Sequence, residues 1–191
     1  MKLVFATHNQ NKYNEVKQLV PKPFELLSLE MIGCHDDIPE TGDTLEKNAQ
    51  LKADYVTHNF GMACFSDDTG LLVDALNGAP GVYSARYGGE EKDAGANMSR
   101  LLKELDQVTN RKARFKTVIA LNINNRSYLF TGAVEGHISY GKHGEKGFGY
   151  DPIFIPDGYD QTFAELPLSV KNTISHRARA IEALITFLKP L

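Results

Sequence analysis

The middle of the chain most restricts how it can fold. Two runs of strand composition, Ala113 to Ile123 and Tyr128 to Ile138, flank Asn124-Asn125. Asparagine tolerates left-handed backbone, so this pair reads as a hairpin turn. A hairpin that long pairs antiparallel and belongs in a sheet. Around it, strand-like and helix-like segments alternate. Lys2 to Ala6 reads as a buried strand. Tyr13, Val16, Leu19 and Val20 then recur at helical spacing, and Pro21 and Pro23 stop that helix. Phe24 to Leu29 reads as a second strand. Asp43 is the expected N-cap of the next helix, with Glu46 completing a capping box, and that helix ends near Gly61. Met62 to Ser66 reads as a strand that closes on Asp67-Asp68, with a Thr69-Gly70 turn after it. Leu71 to Leu76 reads as the start of a helix, and Asn77 to Gly81 as a turn. A helix is expected over Asp93 to Leu105, a Gly-rich loop over Gly141 to Gly149, and a short strand at Ile153 to Ile155. Ser175 is the expected cap of a last helix, whose Ile181, Leu184, Ile185 and Leu188 form one apolar stripe. Interleaved helices and strands around a hairpin predict an α/β class with a mixed sheet and flanking helices.

With 191 residues, the chain is expected to form one domain, 1–191, without linkers or repeats. No apolar run is long enough for a membrane span, and the opening residues lack a signal-peptide pattern. Cys34 and Cys64 form no C-x-x-C pair, which predicts reduced thiols and a cytoplasmic protein. The net charge of −3 argues against nucleic acid as a partner. It leaves room for a small anion held by a few placed cations.

Four stretches carry candidate chemistry. Ala6 to Lys12, ATHNQNK, reads as strand, polar turn and helix start. Such a turn offers N–H groups and partial positive charge to phosphate, although it lacks the P-loop pattern; an ordinary capped helix is the alternative. Asp67 and Asp68, with Glu40, could hold Mg²⁺ through oxygen ligands, and one carboxylate could take a proton from an attacking water; a simple Asx turn is the alternative. Gly144 to Phe154 combines glycines with Phe148 and Tyr150, whose faces could stack on a flat ring; a plain loop would look similar. His176 and Arg177 fall in the first turn of the last helix, where positive charge opposes the helix dipole. That placement suits a ligand, or else marks a surface pair. Phosphate donors, a metal site, a stacking loop and a basic pair together suit a nucleotide.

The motifs also resemble a known family. Thr7-x-Asn9-x-x-Lys12, Glu40-Thr41-Gly42, Glu46-x-Asn48-Ala49, Ser66 to Leu71, Gly78 to Arg86, Gly147 to Pro152, Ala164-Glu165-Leu166, Lys171-Asn172 and Ser175-His176-Arg177 follow in order along the chain. This set is similar to the inosine triphosphate pyrophosphatase family. The resemblance implies Mg²⁺-dependent hydrolysis of ITP, dITP and XTP to the nucleoside monophosphate and pyrophosphate. It also implies a homodimer, and an elongated mixed sheet with two lobes around a central cleft. By this resemblance Thr7, His8, Asn9, Gln10, Asn11 and Lys12 form the triphosphate segment, with no specific contact assigned to His8 or Gln10. Glu40 and Asp68 serve the metal. Asp68 is the favoured general base with Asp67 beside it, and sequence alone does not choose between them. Thr69 contacts substrate. Phe148, Gly149, Tyr150, Asp151, Lys171, His176 and Arg177 surround the nucleotide, with Arg177 or His176 donating to the C6 oxygen of the base. The competing readings are a related pyrimidine-directed pyrophosphatase of the septum-formation-inhibitor-like group, a nucleotide sensor without turnover, and an RNA-binding module. The intact carboxylates speak against the sensor, and the acidic balance speaks against the RNA module.

Overall fold

A computed structural model describes residues 1–189, so Pro190 and Leu191 of the expected 1–191 domain lie outside the described residues. Its strands are β1 Lys2–Phe5, β2 Glu25–Leu27, β3 Cys64–Val73, β4 Lys112–Ile123, β5 Arg126–Ile138 and β6 Phe154–Pro156. They form one sheet in the order β2-β1-β3-β4-β5-β6. β1 pairs parallel with β2 and β3 (Val4 opposite Leu27 and Cys64), whereas β5 pairs antiparallel with β6 (His137 opposite Ile155). The sheet is therefore mixed, as expected. The central hairpin forms at Asn124 and Asn125, both with positive φ (50° and 59°). Flanking helices are α1 Gln10–Leu19, α2 Leu45–Phe60, α3 Ala94–Glu104, α4 Leu168–Ile174 and α5 His176–Leu188.

Several expectations need correction. β3 does not stop at Ser66 but continues through Asp67, Asp68, Thr69 and Gly70 to Val73. The expected Thr69-Gly70 turn is strand, and Leu71 to Leu76 supplies the strand end and a single 3₁₀ turn, not a helix. α2 is capped by Thr44, whose side chain accepts from the Lys47 N–H. Asp43 lies one residue too early and pairs instead with Lys47 Nζ at 2.7 Å. α4 was not anticipated, since seven residues are too few for a clear helical period. Ser175 follows α4 in extended conformation and directly precedes α5.

The chain divides into two compact units. The first comprises Met1–Asp68, Thr117–Gly132 and Arg177–Leu191; the second comprises Thr69–Lys116 and Ala133–His176. In the first, Leu3, Phe5, Val16, Phe65, Ile119 and Leu184 anchor one apolar cluster, and Val4, Cys34, Val56 and Cys64 belong to another. In the second, Leu71, Leu101, Phe115, Ile138, Phe154 and Phe163 anchor the core. β3 is buried along nearly its whole length, as a strand covered on both faces must be. Asp67 and Asp68 sit on it, and so polar groups must enter the interior to meet them.

Candidate active site

Side chains alternate faces along a strand. The pleat of β3 thus turns adjacent Asp67 and Asp68 to opposite sides, and each finds its own company. Asp67 is 1% exposed. Its Oδ1 accepts from Lys12 Nζ at 2.9 Å and its Oδ2 from Arg177 Nε at 3.2 Å. Burial alone raises a carboxyl pKa, but Lys12, Arg177 and Lys52 together outweigh it and hold Asp67 well below the usual carboxylate range. Asp68 has the opposite balance. Burial pushes its carboxyl up, Glu40 adds to that, and Lys52 and Lys12 offset only part of it. Two neighbouring carboxyls are thereby tuned apart, one a fixed anion and the other the better proton acceptor.

The cations come from three helices. α1 brings Lys12 and, one turn later, Glu15. Asn9 caps this helix: its side chain accepts from the Asn11 and Lys12 N–H groups at 3.0 and 3.2 Å, and Thr7 Oγ1 accepts from the Asn9 N–H. The N–H groups of Asn9, Asn11 and Lys12 are thus bonded within the turn itself. α5 brings Arg177, 2% exposed, with Nη1 donating to Glu15 Oε2 at 2.5 Å. A buried guanidinium costs several kcal/mol unless it is paired, and Glu15 and Asp67 supply the pairing. α2 brings Lys52, whose Nζ donates to Glu40 Oε1 (2.5 Å) and to the Asp67 carbonyl (2.7 Å), and lies 3.9 Å from Asp68 Oδ1. Burial lowers the Lys52 pKa, but Asp68, Glu40 and Asp67 more than reverse this, so it stays charged. Ser66 also donates to the Ala49 carbonyl, which pins α2 along β3.

Glu40 and Asp68 thus converge on one ammonium, and both offer only oxygen. That donor set fits a hard divalent cation, which takes one or two carboxylates and completes its shell with water and phosphate. Among the described residues no group of three or more His, Cys, Asp or Glu is placed to hold a metal.

A second polar cluster lies in the second unit. Asp151, 3% exposed, accepts from Lys171 Nζ at 2.6 Å and from the Phe148 N–H at 2.9 Å. Lys171 Nζ lies 5.1 Å from the centroid of the half-buried Phe148 ring. Gly147 has positive φ (75°), and a Cβ there would run into the Asp151 carboxylate, so this turn admits only glycine. Gly149 follows with φ 63°. Tyr150 does not offer its face as expected. It is 5% exposed, its hydroxyl donates to the Ser84 carbonyl at 2.8 Å, and its ring packs in the core. His176 is also buried, its ring stacked on Phe115 at 4.6 Å.

Among the other expected residues, Thr7 and Thr69 are half-buried. His8 Nε2 meets the Asp36 carbonyl at 2.8 Å, and Gln10 donates to Asn14. Glu15, Lys52 and Asn48 were not singled out as site residues from sequence. Glu15 could have been found as the residue one turn after Lys12. Lys52 and Asn48 share a face of α2, and both are buried there although lysine and asparagine rarely are.

A mixed α/β sheet with a buried carboxylate–cation cluster built into its central strand defines the class of this protein. Within that class the chain belongs to the Ham1 family, whose model it matches over residues 3–187. It is 58% identical over 188 residues to a protein of Flavobacterium johnsoniae named dITP/XTP pyrophosphatase, covering 98% of each chain. Its fold is similar to a solved Ham1 protein of Staphylococcus aureus (TM-score 0.90, 41% identity, 100% and 99% of the two chains). It is also similar to a HAM1 protein of Coxiella burnetii (TM-score 0.92, 36% identity, 100% of each chain). These findings agree with the kinship read from the sequence motifs.

Proposed function

We propose that this protein hydrolyses nucleoside triphosphates of deaminated purines, ITP, dITP and XTP, to the monophosphate and pyrophosphate. The observation that carries the reading is the placement of two carboxylates on one strand: Asp67 pairs with Lys12 and Arg177, and Asp68 lies with Glu40 around Lys52. The names of relatives such as the Flavobacterium johnsoniae protein support the substrate class.

In this reading Asp68 accepts a proton from a water that attacks the α-phosphorus. The P–O bond to the β-phosphate breaks, and pyrophosphate leaves with the bonding electrons. Lys12 stabilises the charge that gathers on the leaving group, within the segment Thr7, His8, Asn9, Gln10, Asn11 and Lys12. Asp67 keeps Lys12 and Arg177 in place. Glu40 and Asp68 would hold Mg²⁺, which neutralises phosphate charge when bound. Thr69, Phe148, Gly149, Tyr150, Asp151, Lys171 and His176 are proposed to serve the nucleotide, with Phe148 as the stacking ring. Arg177 spends its guanidinium on Glu15 and Asp67, so it is better read as a support of the carboxylates than as a donor to the base. Adenine would bring an amino group where these purines bring a C6 oxygen. A donor left facing it costs on the order of 1–3 kcal/mol, enough to discriminate. A homodimer acting in the cytoplasm completes the proposal; among the described residues no helix is long and apolar enough to cross a membrane.

The test is pyrophosphate release with Mg²⁺ from dITP and XTP against dATP, dGTP and dTTP. Strong preference for the first two is expected. Preference for a pyrimidine or an ordinary purine would overturn the specificity, and binding without turnover would overturn the chemistry.

A further inference from the structure

Asn48 is 1% exposed, and a buried amide left without a partner is costly. Its Oδ1 accepts from the Gly42 N–H at 2.7 Å. The helix that carries Asn48 is fixed along β3, where Ser66 donates to the Ala49 carbonyl and Lys52 Nζ donates to the Asp67 carbonyl at 2.7 Å. The Gly42 N–H fixes the orientation of the amide, because a backbone N–H only donates. The amide therefore ties the Glu40-Thr41-Gly42 segment to α2, and through α2 to β3. That segment approaches closely: a Cβ on Gly42 would lie 2.7 Å from Asn48 Oδ1 and 2.7 Å from Lys47 Cβ. One turn further along α2, Lys52 takes Glu40 Oε1 at 2.5 Å. Helix α2 thus holds the Glu40 segment through two side chains at i and i+4, one cationic and one neutral. The neutral one fastens the segment without altering the charge offered to a cation. Aspartate at position 48 would accept from Gly42 equally well but would bring a further carboxylate to the segment that carries Glu40.

We infer that Asn48 is a positioning residue that fixes the Glu40 segment against Asp68 and so sets the affinity of this pair for a hard divalent cation. The inference rests on the hydrolase reading above for the identity of the cation. Groups that orient a ligand carboxylate commonly change metal affinity by 10–100-fold when removed.

The test uses the full chain and two variants, Asn48→Ala and Gly42→Ala. The melting temperature is followed as Mg²⁺ is titrated without nucleotide, and the half-saturating Mg²⁺ for dITP turnover is measured alongside. Both variants should need roughly tenfold more Mg²⁺ in both assays, with kcat restored at saturating metal. Wild-type Mg²⁺ dependence in a folded Asn48→Ala protein would overturn the inference. So would turnover that no Mg²⁺ concentration restores. Gly42→Ala keeps Asn48 and displaces only the segment, so it decides the matter if Asn48→Ala fails to fold: an unchanged metal requirement there overturns the proposal. Turnover by the wild type in a chelator, with no Mg²⁺-dependent rise in melting temperature, would instead remove the metal reading, and this inference with it.

Discussion

The strand pleat that separates Asp67 from Asp68 makes their roles testable one residue at a time. Asp68→Asn retains the shape and the partners of the strand but removes the proton acceptor. Turnover should fall by about 10²–10⁴-fold, the usual contribution of a general base, with circular dichroism and melting temperature close to wild type. Near-wild-type turnover would exclude Asp68 from the chemistry. Glu15 is tested differently, because its contact is with Arg177 and not with substrate. Glu15→Ala leaves a guanidinium of 2% exposure with Asp67 as its one carboxylate partner among the contacts described. Breaking a buried pair typically costs 3–5 kcal/mol. About 3 kcal/mol is expected here, since Asp67 remains. Urea unfolding measures it, and a loss under about 1 kcal/mol would show the pair to be worth no more than a surface one. The pairing of Glu15 with Arg177 was the least visible part of the site in the sequence. Glu15 and Arg177 stand 162 positions apart, and no local period links them. Lys12, Glu40 and the aspartates were visible because each lies in a compact motif.

Elements were read well where one periodicity ruled and poorly where two signals competed. The hairpin at Asn124-Asn125 and the stripe of α5 follow directly from turn chemistry and helical spacing. β3 was cut short because Asp and Gly are poor strand residues, and the tertiary contacts to Lys12, Lys52 and Arg177 override that preference. Helix α2 shows the limit of capping rules, since Asp43 and Thr44 both suit the position. Thr44→Ala should cost about 1 kcal/mol, whereas Asp43→Ala, which removes only an exposed i,i+4 pair, should be near neutral. The reverse ranking in urea unfolding would restore Asp43 as the cap. A pH effect belongs to α3. Tyr87 donates to Glu104 on this helix, and the Arg100 guanidinium lies 4.3 Å from the centre of its ring. Burial, then the Glu104 carboxylate, pushes the Tyr87 pKa up to about 12. A raised pKa means the folded state favours the protonated phenol. Its contribution is complete below the unfolded value of about 10 and is lost as pH rises to about 12. Tyr87→Phe should therefore be less stable than wild type at pH 8 and lose less stability from pH 10 to 12. Parallel losses in the two proteins would contradict the assignment.

At the level of the molecule, the chain passes between its two compact units at Asp68–Thr69, Lys116–Thr117, Gly132–Ala133 and His176–Arg177. The first three crossings run along β3, β4 and β5. The fourth falls in the first turn of α5. Neither unit is a continuous segment, and each has its own apolar core. Separate cores allow separate opening, and chains above about 150 residues often populate intermediates. Three strands and one helix contribute residues to both units, which opposes this, because unfolding either unit leaves each of these elements only half formed. We expect the connections to dominate and the chain to unfold in one transition. Native-state hydrogen exchange tests this directly. The slowest amides of the first unit, around Phe5 and Phe65, should open with the same free energy and denaturant slope as those around Leu71 and Ile138 in the second. The two values should also match the global one from urea. If the second unit's amides exchange through an opening with a markedly smaller slope, it unfolds on its own, and Asp68 and Thr69, neighbours in β3, would mark the border between two separately cooperative structures.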